Sequence, residues 1–387
     1  MSNEKASFKL TFISNFFNHH QQYLCDEFHN LLGDGFTFIE TTPFTQERKD
    51  CGWQQNEYPE YVLCSYESNE VNKKCRRLAD ESDAVIIGSA PDEWIFNRLK
   101  NKKITFRYNE RWYKKELKWY KRPRAYVGGW LHHRRFKSLY MLCASAYTAG
   151  DALSIGCYKN KLFKWGYFPQ FIEYSEQELL SSRQNDIPNV LWCGRMLDWK
   201  HPDDAVNACA KLISNGTKLR LTIIGNGEQL DKVKTICENK NINKYVDFAG
   251  TLSPNQVRGF MEKADIFLFT SDRNEGWGVV LNEAMNSGCA VISSKEAGSA
   301  PFLINDGING ILYESGNTEM LADKLKQLIE NPEKRRELGL NAYSTIKDEW
   351  NPKSAANSFI RLCEAIEKND NNLISKSGPC SIAGKIR

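Results

Sequence analysis

Long apolar runs are missing from this sequence of 387 residues, although 41% of the residues are hydrophobic. No stretch approaches the roughly 18 consecutive apolar residues of a membrane-spanning helix. The first residues, Met1 to Lys5, lead into a short strand-like segment rather than a secretory leader. We therefore expect a cytoplasmic protein without a membrane-spanning helix.

Cys-x-x-Cys pairs and Asp-x-Asp pairs at strand-to-loop junctions are missing as well. The 12 cysteines stand singly, many inside apolar runs, and no Cys-x-x-Cys pair offers a zinc or redox site. We expect these cysteines to be reduced and buried as small hydrophobic residues. No Asp-x-Asp pair stands at a strand-to-loop junction, so the sequence predicts no metal site.

The length of the chain and its alternating pattern predict two domains. A chain of 387 residues exceeds the size at which one hydrophobic core keeps growing. Strand and helix signals alternate across residues 189–350 and, less regularly, across residues 1–170, which is typical of parallel sheets covered by helices. We therefore predict an α/β protein with two Rossmann-like domains, a linker at 171–188 and a loose tail at 369–387.

Two glutamates separated by seven residues, Glu275 and Glu283, form the strongest motif. They stand where a predicted buried strand (264–269) and a loop lead into a helix that ends near Ser287. Free amides at a helix start attract phosphate, and Gly276 and Gly278 let the backbone come close. Eight residues of helix rise about 12 Å, the span from a donor sugar to a ribose. One glutamate could thus hold sugar hydroxyls and the other the ribose; the alternative is a solvated helix face, where paired glutamates usually lie.

This segment resembles the E-x7-E motif of retaining GT-B glycosyltransferases, those of glycosyltransferase family four. Gly194-Arg195 with Lys200 resembles the R-x4-K element of that family, and Gly225-Asn226-Gly227 resembles its glycine turn after the second strand. Asp306 to Leu312 resembles the turn before the closing helices. These motifs together, rather than any one of them, carry the resemblance, which covers residues 189–366.

The resemblance implies two Rossmann-like domains that face each other across a cleft, with a C-terminal helix (351–368) that returns to the first domain. It implies retaining transfer of a sugar, such as a hexose, from a UDP- or GDP-type donor to a glycan or lipid-linked acceptor in surface polysaccharide biosynthesis. No cofactor is implied, since fixed cations can stabilise the departing diphosphate. The implied catalytic residues are Glu275, Arg195 and Lys200, and the implied donor contacts are Gly194, Gly225, Asn226, Gly276, Trp277, Gly278, Val279 and Glu283.

The first domain departs from the family pattern, and its candidate residues concern the acceptor. Where many members carry a glycine-rich loop, the chain has Asn18, His19, His20 and Gln21, which could face the diphosphate or acceptor or merely cap a helix. Arg107 and Glu110 follow a predicted strand at 104–106, and carboxyl ends of parallel strands face the ligand crevice. These two could equally form one surface salt bridge. The acceptor-side candidates are Asn18, His19, His20, Arg107 and Glu110.

A basic and aromatic segment runs from Arg107 to Lys137, whereas the whole chain has a net charge of only +4. It holds eleven Lys or Arg and two acids, Glu110 and Glu116, interleaved with aromatic residues that include Trp112, Tyr113, Trp119, Tyr120, Tyr126 and Trp130. Such a segment suits peripheral contact with an anionic inner membrane leaflet. The alternatives are an ordinary basic face, with Trp119 and Trp130 in the core, and single-stranded nucleic-acid binding.

Two other functions compete with transfer. Nucleic-acid binding is disfavoured, because the sequence has no RNP-type motif or zinc spacing and the glutamate motif would stay unexplained. Hydrolysis or epimerisation of a nucleotide sugar, without an acceptor, uses the same donor residues and stays open.

Overall fold

The computed structural model describes residues 8–44, 57–115, 117–181, 183 and 187–386. The strands are β1 (Leu10–Ser14), β2 (Phe36–Glu40), β3 (Val62–Cys64), β4 (Ala84–Ile87), β5 (Ile104–Asn109), β6 (Leu139–Cys143), β7 (Leu162–Lys164), β8 (Asn189–Cys193), β9 (Arg220–Ile224), β10 (Val246–Gly250), β11 (Ile266–Phe269), β12 (Ala290–Ser294) and β13 (Ile311–Tyr313). The α-helices are α1 (His19–Leu32), α2 (Asn69–Glu81), α3 (Phe96–Lys100), α4 (Arg122–Gly129), α5 (Thr148–Ser154), α6 (Glu176–Ser181), α7 (Pro202–Ser214), α8 (Leu230–Asn239), α9 (Pro254–Lys263), α10 (Val279–Asn286), α11 (Ala300–Leu303), α12 (Thr318–Glu330), α13 (Pro332–Asp348) and α14 (Pro352–Lys368).

These elements form two compact units. Unit 1 comprises the described residues up to Pro169 together with those from Pro352 onward, and unit 2 runs from Gln170 to Asn351. The sheet of unit 1 has the order β3-β2-β1-β4-β5-β6-β7, and its strand pairs are parallel. All residues of β1 and β4 are buried, as expected for strands covered by helices on both faces.

The C-terminal helix α14 belongs to the core of unit 1, which confirms its predicted return. Phe359 is fully buried, and its ring centroid lies 5.5 Å from that of Phe28 and 4.8 Å from that of Phe106. The helix therefore covers one face of the first sheet after the chain has passed through unit 2.

The predicted loose tail at 369–387 is wrong for its described residues. The amide of Lys164 donates to the carbonyl of Ser381 (2.7 Å), and the amide of Ala383 donates to that of Leu162 (2.9 Å). The physical reason is that β7 is an edge strand with unpaired backbone groups, which the tail satisfies.

Unit 2 is a Rossmann-like domain, as predicted. Its parallel sheet has the order β10-β9-β8-β11-β12-β13, which is 3-2-1-4-5-6 when counted from β8. The segment predicted as a linker at 171–188 is part of this unit. The amide of Ile172 donates to Asn286 Oδ1 (2.9 Å) and that of Tyr174 to the Tyr343 hydroxyl (2.8 Å), which ties the segment to α10 and α13.

Two sequence expectations about burial and membranes can be compared with the described residues. Their eleven cysteines are all free, and all but Cys193 are buried. Within these residues, no helix has the length and apolar character needed to cross a membrane.

Candidate functional site

The candidate donor site lies in unit 2 at the carboxyl ends of β8 and β11, where the strand order reverses. Ligands of open parallel sheets bind at this position. Two loops meet there: the Thr270 hydroxyl donates to the carbonyl of Lys200 (2.6 Å), and the amide of Asp272 donates to that of Trp199 (2.9 Å). His201 Nε2 lies 3.3 Å from Asp272 Oδ2. The loop after β8 is thus fastened to the loop after β11.

Two of the predicted catalytic residues, Lys200 and Glu275, form an ion pair between these loops. Lys200 Nζ donates to Glu275 Oε2, and the side chains are only 15% and 12% exposed. The residues lie 75 positions apart in the sequence, so the fold, not chain proximity, brings them together. The pair places a cation and a carboxylate side by side at the strand-order reversal.

The third predicted catalytic residue, Arg195, lies exposed on the loop after β8. Among the described residues it has no recorded side-chain hydrogen bond or ion pair, so its guanidinium is available to a ligand. The same part of the chain contains no group of three or more His, Cys, Asp or Glu side chains that could hold a metal ion.

The glycine turn after β9 packs directly on the loop after β8. A Cβ at Gly225 would collide with the carbonyl of Gly194, and one at Gly227 would lie 2.6 Å from that of Met196. The amide of Met196 donates to the carbonyl of Asn226 (2.8 Å). The glycine turn and the loop after β8 therefore lie at the same edge of the sheet, as expected if both contact the donor.

Glu283 lies on α10 near the carboxyl end of β8. Burial raises the pKa of its carboxyl, and the Arg258 charge partly offsets this. No hydrogen bond to this carboxylate is recorded among the described residues. Burial and then the Glu283 charge raise the pKa of the Cys193 thiol to about 12, whereas the Lys200 charge lowers it. Cys193 therefore lies near both charges, a neighbour that the sequence pattern did not indicate.

Only part of the segment between Glu275 and Glu283 is helical. Helix α10 begins at Val279, so Glu275 lies in the preceding loop and the predicted 12 Å helical rise does not apply. Gly278 precedes the helix with φ +88°, and a Cβ there would collide with the Phe269 ring. Gly276, Gly278 and Val279 thus supply the backbone at the helix entry, where free amides favour anions.

The side chain of Trp277 lies in the core of unit 2, so the predicted donor contact of this residue can involve only its backbone. The ring is 1% exposed, and its Nε1 donates to Asn282 Oδ1 (2.8 Å). Its centroid lies 5.8 Å from that of Trp350. A large aromatic side chain with a satisfied N–H is most stable in the core. Here the buried ring anchors the loop that contains Glu275.

A cavity of about 360 Å³ in unit 1 lies at the carboxyl ends of β1, β4 and β5. The strand order of this sheet reverses between β1 and β4, so the cavity has the same topological position as the donor site has in unit 2. Its lining is Ser14, Asn15, Phe16, Asn18, Gln21, Gly88, Ser89, Tyr108, Asn109, Glu110, Arg111, Trp112 and Tyr167.

Of the acceptor-side candidates after β1, the lining of this cavity includes Asn18 but not His20. Asn18 lines it, and its Oδ1 accepts from the amide of His20 (3.0 Å), so the helix-cap alternative also holds. The His20 ring centroid lies 6.4 Å from that of Tyr167. The side chain of His19 lies outside the described part of the structure.

Of the two acceptor-side candidates near the end of β5, only Glu110 lies at the cavity. Glu110 lines the cavity and accepts from the Tyr167 hydroxyl (3.0 Å). Arg107 is buried and bonded to Asp92 (2.6 Å), so both its predicted acceptor contact and its pairing with Glu110 are wrong. A buried guanidinium needs a carboxylate partner, and Asp92 provides it. Burial and then the Arg107 charge lower the pKa of His133 to about 4.

A buried glutamate that the sequence did not reveal holds the loop after β1. Glu40, at the end of β2, is fully buried. Its Oε2 accepts from the amide of Phe17 (2.6 Å) and the Tyr58 hydroxyl (3.0 Å), and its Oε1 accepts from the Tyr66 hydroxyl (2.5 Å). These donors satisfy the carboxylate and fix the loop that lines the cavity.

The basic-aromatic surface, residues 114–137, presents its aromatic side chains to solvent. Trp119 is 81% exposed and Trp130 46% exposed, so the alternative that placed them in the core is wrong. The segment contains α4 and a π-helical turn, Trp130–Arg134. Glu116, counted in the sequence, lies outside the described residues. The other exposed apolar or aromatic side chains are Tyr120, Tyr126, Val127 and Leu131.

Comparisons with known proteins agree with this geometry. Residues 175–345 match the family model "Glycosyl transferases group 1". The chain is 28% identical over 192 residues to the uncharacterized glycosyltransferase MJ1069 of Methanocaldococcus jannaschii, covering 49% of this chain and 48% of that protein. It is 29% identical over 184 residues to the amylovoran biosynthesis glycosyltransferase AmsK of Erwinia amylovora, covering 46% and 44%.

The match spans less than half the length of each of these relatives. The crystal structure of Anabaena Alr3699/HepE in complex with UDP has the same fold (TM-score 0.69, 17% identity, 93% of this chain and 100% of that chain). Residues 175–345 are therefore similar to the group 1 glycosyl transferases, and the two α/β units have the fold of GT-B glycosyltransferases.

Proposed function

We propose that the chain is a retaining glycosyltransferase that moves a sugar, such as a hexose, from a nucleotide diphosphate to a glycan or lipid-linked acceptor. The observation that carries this proposal is the Lys200–Glu275 pair at the strand-order reversal of unit 2, near the carboxylate of Glu283. A UDP donor is favoured over GDP, because the HepE structure of the same fold holds UDP. The name of AmsK supports a role in polysaccharide biosynthesis.

Each charged group of the site suits one part of such a donor. The diphosphate meets Lys200, Arg195 and the amides at the entry of α10, which together offset its negative charge. The carboxylate of Glu275 accepts hydrogen bonds from hydroxyls of the donor sugar. The Glu283 carboxylate, to which no group of the described residues donates a hydrogen bond, accepts from the ribose hydroxyls.

Retention follows from attack on the face that the leaving group occupies. The bond from the anomeric carbon to the diphosphate oxygen breaks, and the acceptor oxygen bonds to that carbon from the same side. The proton of the acceptor hydroxyl passes to the departing phosphate oxygen, so no separate protein base is required. Glu275 orients the sugar and stabilises the positive charge that develops on it.

The charge balance also leads us to propose that transfer is independent of a divalent metal. Arg195 and Lys200 place two fixed cations where a metal would otherwise stabilise the leaving diphosphate. Turnover in excess EDTA should equal turnover in buffer with magnesium. A requirement for added metal would contradict this part of the proposal.

The test is turnover of a panel of UDP- and GDP-sugars by the wild-type chain and its variants. Lys200→Ala and Glu275→Ala should abolish turnover, whereas the exposed Glu238→Ala on α8 serves as a matched control and should retain it. Near wild-type turnover by either site variant would refute the assignment. Release of free or epimerised sugar without a glycosidic product would instead identify a hydrolase or an epimerase.

We further propose that the basic-aromatic surface binds the anionic inner face of a membrane. Each Lys or Arg near an anionic leaflet contributes about 1 kcal/mol, and this surface presents exposed cations beside Trp119, Trp130 and Tyr126. Tryptophan and tyrosine favour the headgroup region. The combination suits an enzyme whose acceptor is linked to a lipid.

Vesicle sedimentation tests this surface. Binding should require anionic lipid, fall as salt rises, and weaken when five exposed cations are replaced together: Lys114, Lys115, Lys118, Lys121 and Arg122. A chain with five exposed cations of unit 2 neutralised (Lys218, Lys240, Lys244, Lys263 and Arg336) is the control for net charge. Equal binding to neutral vesicles, or none to anionic vesicles at low salt, would favour a soluble acceptor.

A further inference from the structure

His201, the residue after Lys200, has a left-handed backbone conformation that glycine adopts far more readily. Its φ is +46° and its ψ is +54°. A Cβ atom makes this conformation costly. Pro202 follows, and a residue before proline favours an extended backbone instead. His201 is therefore held in a strained conformation, which persists only where the surrounding structure fixes it.

The imidazole of His201 contacts the turn that carries Glu275. Its Nε2 lies 3.3 Å from Asp272 Oδ2, and the two side chains are 28% and 22% exposed. Asp272 Oδ1 accepts from the amide of Asn274 (2.7 Å), and the carbonyl of Asp272 accepts from the amide of Glu275 (3.0 Å). Asp272 thus organises the turn, and His201 contacts the carboxylate of Asp272.

The backbone bonds of His201 do not require a histidine. Its amide donates to the carbonyl of Asp198 (3.1 Å), and its carbonyl accepts from the amide of Asp204 (3.2 Å) at the start of α7. Glycine would make both bonds without the strain at φ +46°. What the histidine adds is the ring and its contact with Asp272. A strained residue whose side chain reaches a candidate active site points to a role in function.

We propose that His201 is a positioning residue for the transfer reaction, which rests on the function proposed above. The consecutive residues Lys200 and His201 contact the same turn at two points, Glu275 and Asp272. When the donor binds, Lys200 also has to face the diphosphate, so its hold on Glu275 is shared. The His201–Asp272 contact then keeps the turn in place and presents the Glu275 carboxylate to the donor sugar, where small displacements are costly.

Replacing His201 with glycine tests this proposal on the full chain. His201→Gly removes the contact with Asp272 but also relieves the strained φ, so Tm should stay within about 3 °C of wild type. Turnover at saturating donor should nevertheless fall roughly 10- to 100-fold, as expected for a displaced catalytic group. The donor KM should change less than about three-fold, because the contacts proposed for the diphosphate and ribose remain.

Three further variants serve as controls. Asn241→Gly introduces the same residue at an exposed position of unit 2 with nearly the same conformation, φ +55°, and should keep wild-type turnover. His201→Gln retains an N–H donor of similar reach and should keep at least about a third of wild-type turnover. In Asp272→Ala, which already lacks the carboxylate, adding His201→Gly should lower turnover by no more than about two-fold further.

The outcomes separate this inference from the function on which it rests. Wild-type turnover in His201→Gly, or a loss that simply adds to that of Asp272→Ala, would overturn the inference. So would a fall in Tm beyond the stated range that accompanies the loss of turnover, because His201 would then stabilise the fold. In these cases the wild-type chain still transfers sugar and the proposed function stands. A wild-type chain that transfers no sugar from any UDP- or GDP-sugar refutes the proposed function and this inference with it.

Discussion

Replacing Glu275 with glutamine should separate its role in transfer from its role in holding the two loops of unit 2. Glutamine has the shape of glutamate and can still accept from Lys200 Nζ, so the contact between the loops survives. The negative charge, however, is lost where positive charge develops on the donor sugar. Charged groups aimed at a transition state contribute about 3–4 kcal/mol, so turnover should fall roughly 10²- to 10³-fold.

The stability change can be bounded from the burial of the pair. Exposed ion pairs contribute about 0–1 kcal/mol, and breaking a fully buried pair costs about 3–5 kcal/mol. With side chains 12% and 15% exposed, Glu275→Ala should therefore cost about 2 kcal/mol. For a domain of this size that corresponds to a fall in Tm of about 4–8 °C. Glu275→Gln, which keeps the hydrogen bond, should lose less than half as much.

The assay combines thermal unfolding, UDP titration and donor turnover on the same three proteins. The expected pattern is a large loss of turnover in both variants, a clear fall in Tm only in Glu275→Ala, and UDP affinity within a few-fold of wild type. If Glu275→Gln retained more than about a tenth of wild-type turnover, the carboxylate would not be the group that supports the transition state.

Three further predictions concern residues around the two sites. The folded-state pKa of Glu283 is raised, so its contribution to stability is greatest below the unfolded pKa and is lost as pH rises through the raised value. Glu283→Gln should therefore raise Tm more at pH 7 than at pH 4, while weakening UDP binding and raising the donor KM. Trp277→Phe should cost about 2 kcal/mol in urea unfolding without changing the UDP Kd, because the ring lies in the core. Glu40→Ala leaves the amide of Phe17 and two tyrosine hydroxyls without their acceptor and should cost about 3 kcal/mol by the same measurement.

Strong local patterns allowed most of the fold to be predicted. The alternation of strand and helix signals after Asn189 predicted the Rossmann-like unit, and the buried strand predicted at 264–269 corresponds to β11, Ile266–Phe269. Three short strands, β3, β7 and β13, were not predicted. Each has three residues, too few to show a period of two, and depends on pairing with a longer neighbour.

The candidate site was predicted only where spacing along the chain carries the information. The R-x4-K and E-x7-E spacings predicted residues that the fold does bring to one edge of unit 2. Residue type alone did not show that the side chains of Trp277 and Arg107 are buried, because a tryptophan beside a glycine and an arginine after a strand look equally available whether or not the core encloses them. Glu40 was missed since its partners Tyr58 and Tyr66 become neighbours only after β2 and β3 pair.

The most direct test of the central claim is the anomeric configuration of the fresh glycosidic product, read by proton NMR before the sample equilibrates. The transferred sugar should keep the configuration that it had in the nucleotide sugar. An inverted anomer from the wild-type chain would contradict same-face substitution and the role assigned to Glu275.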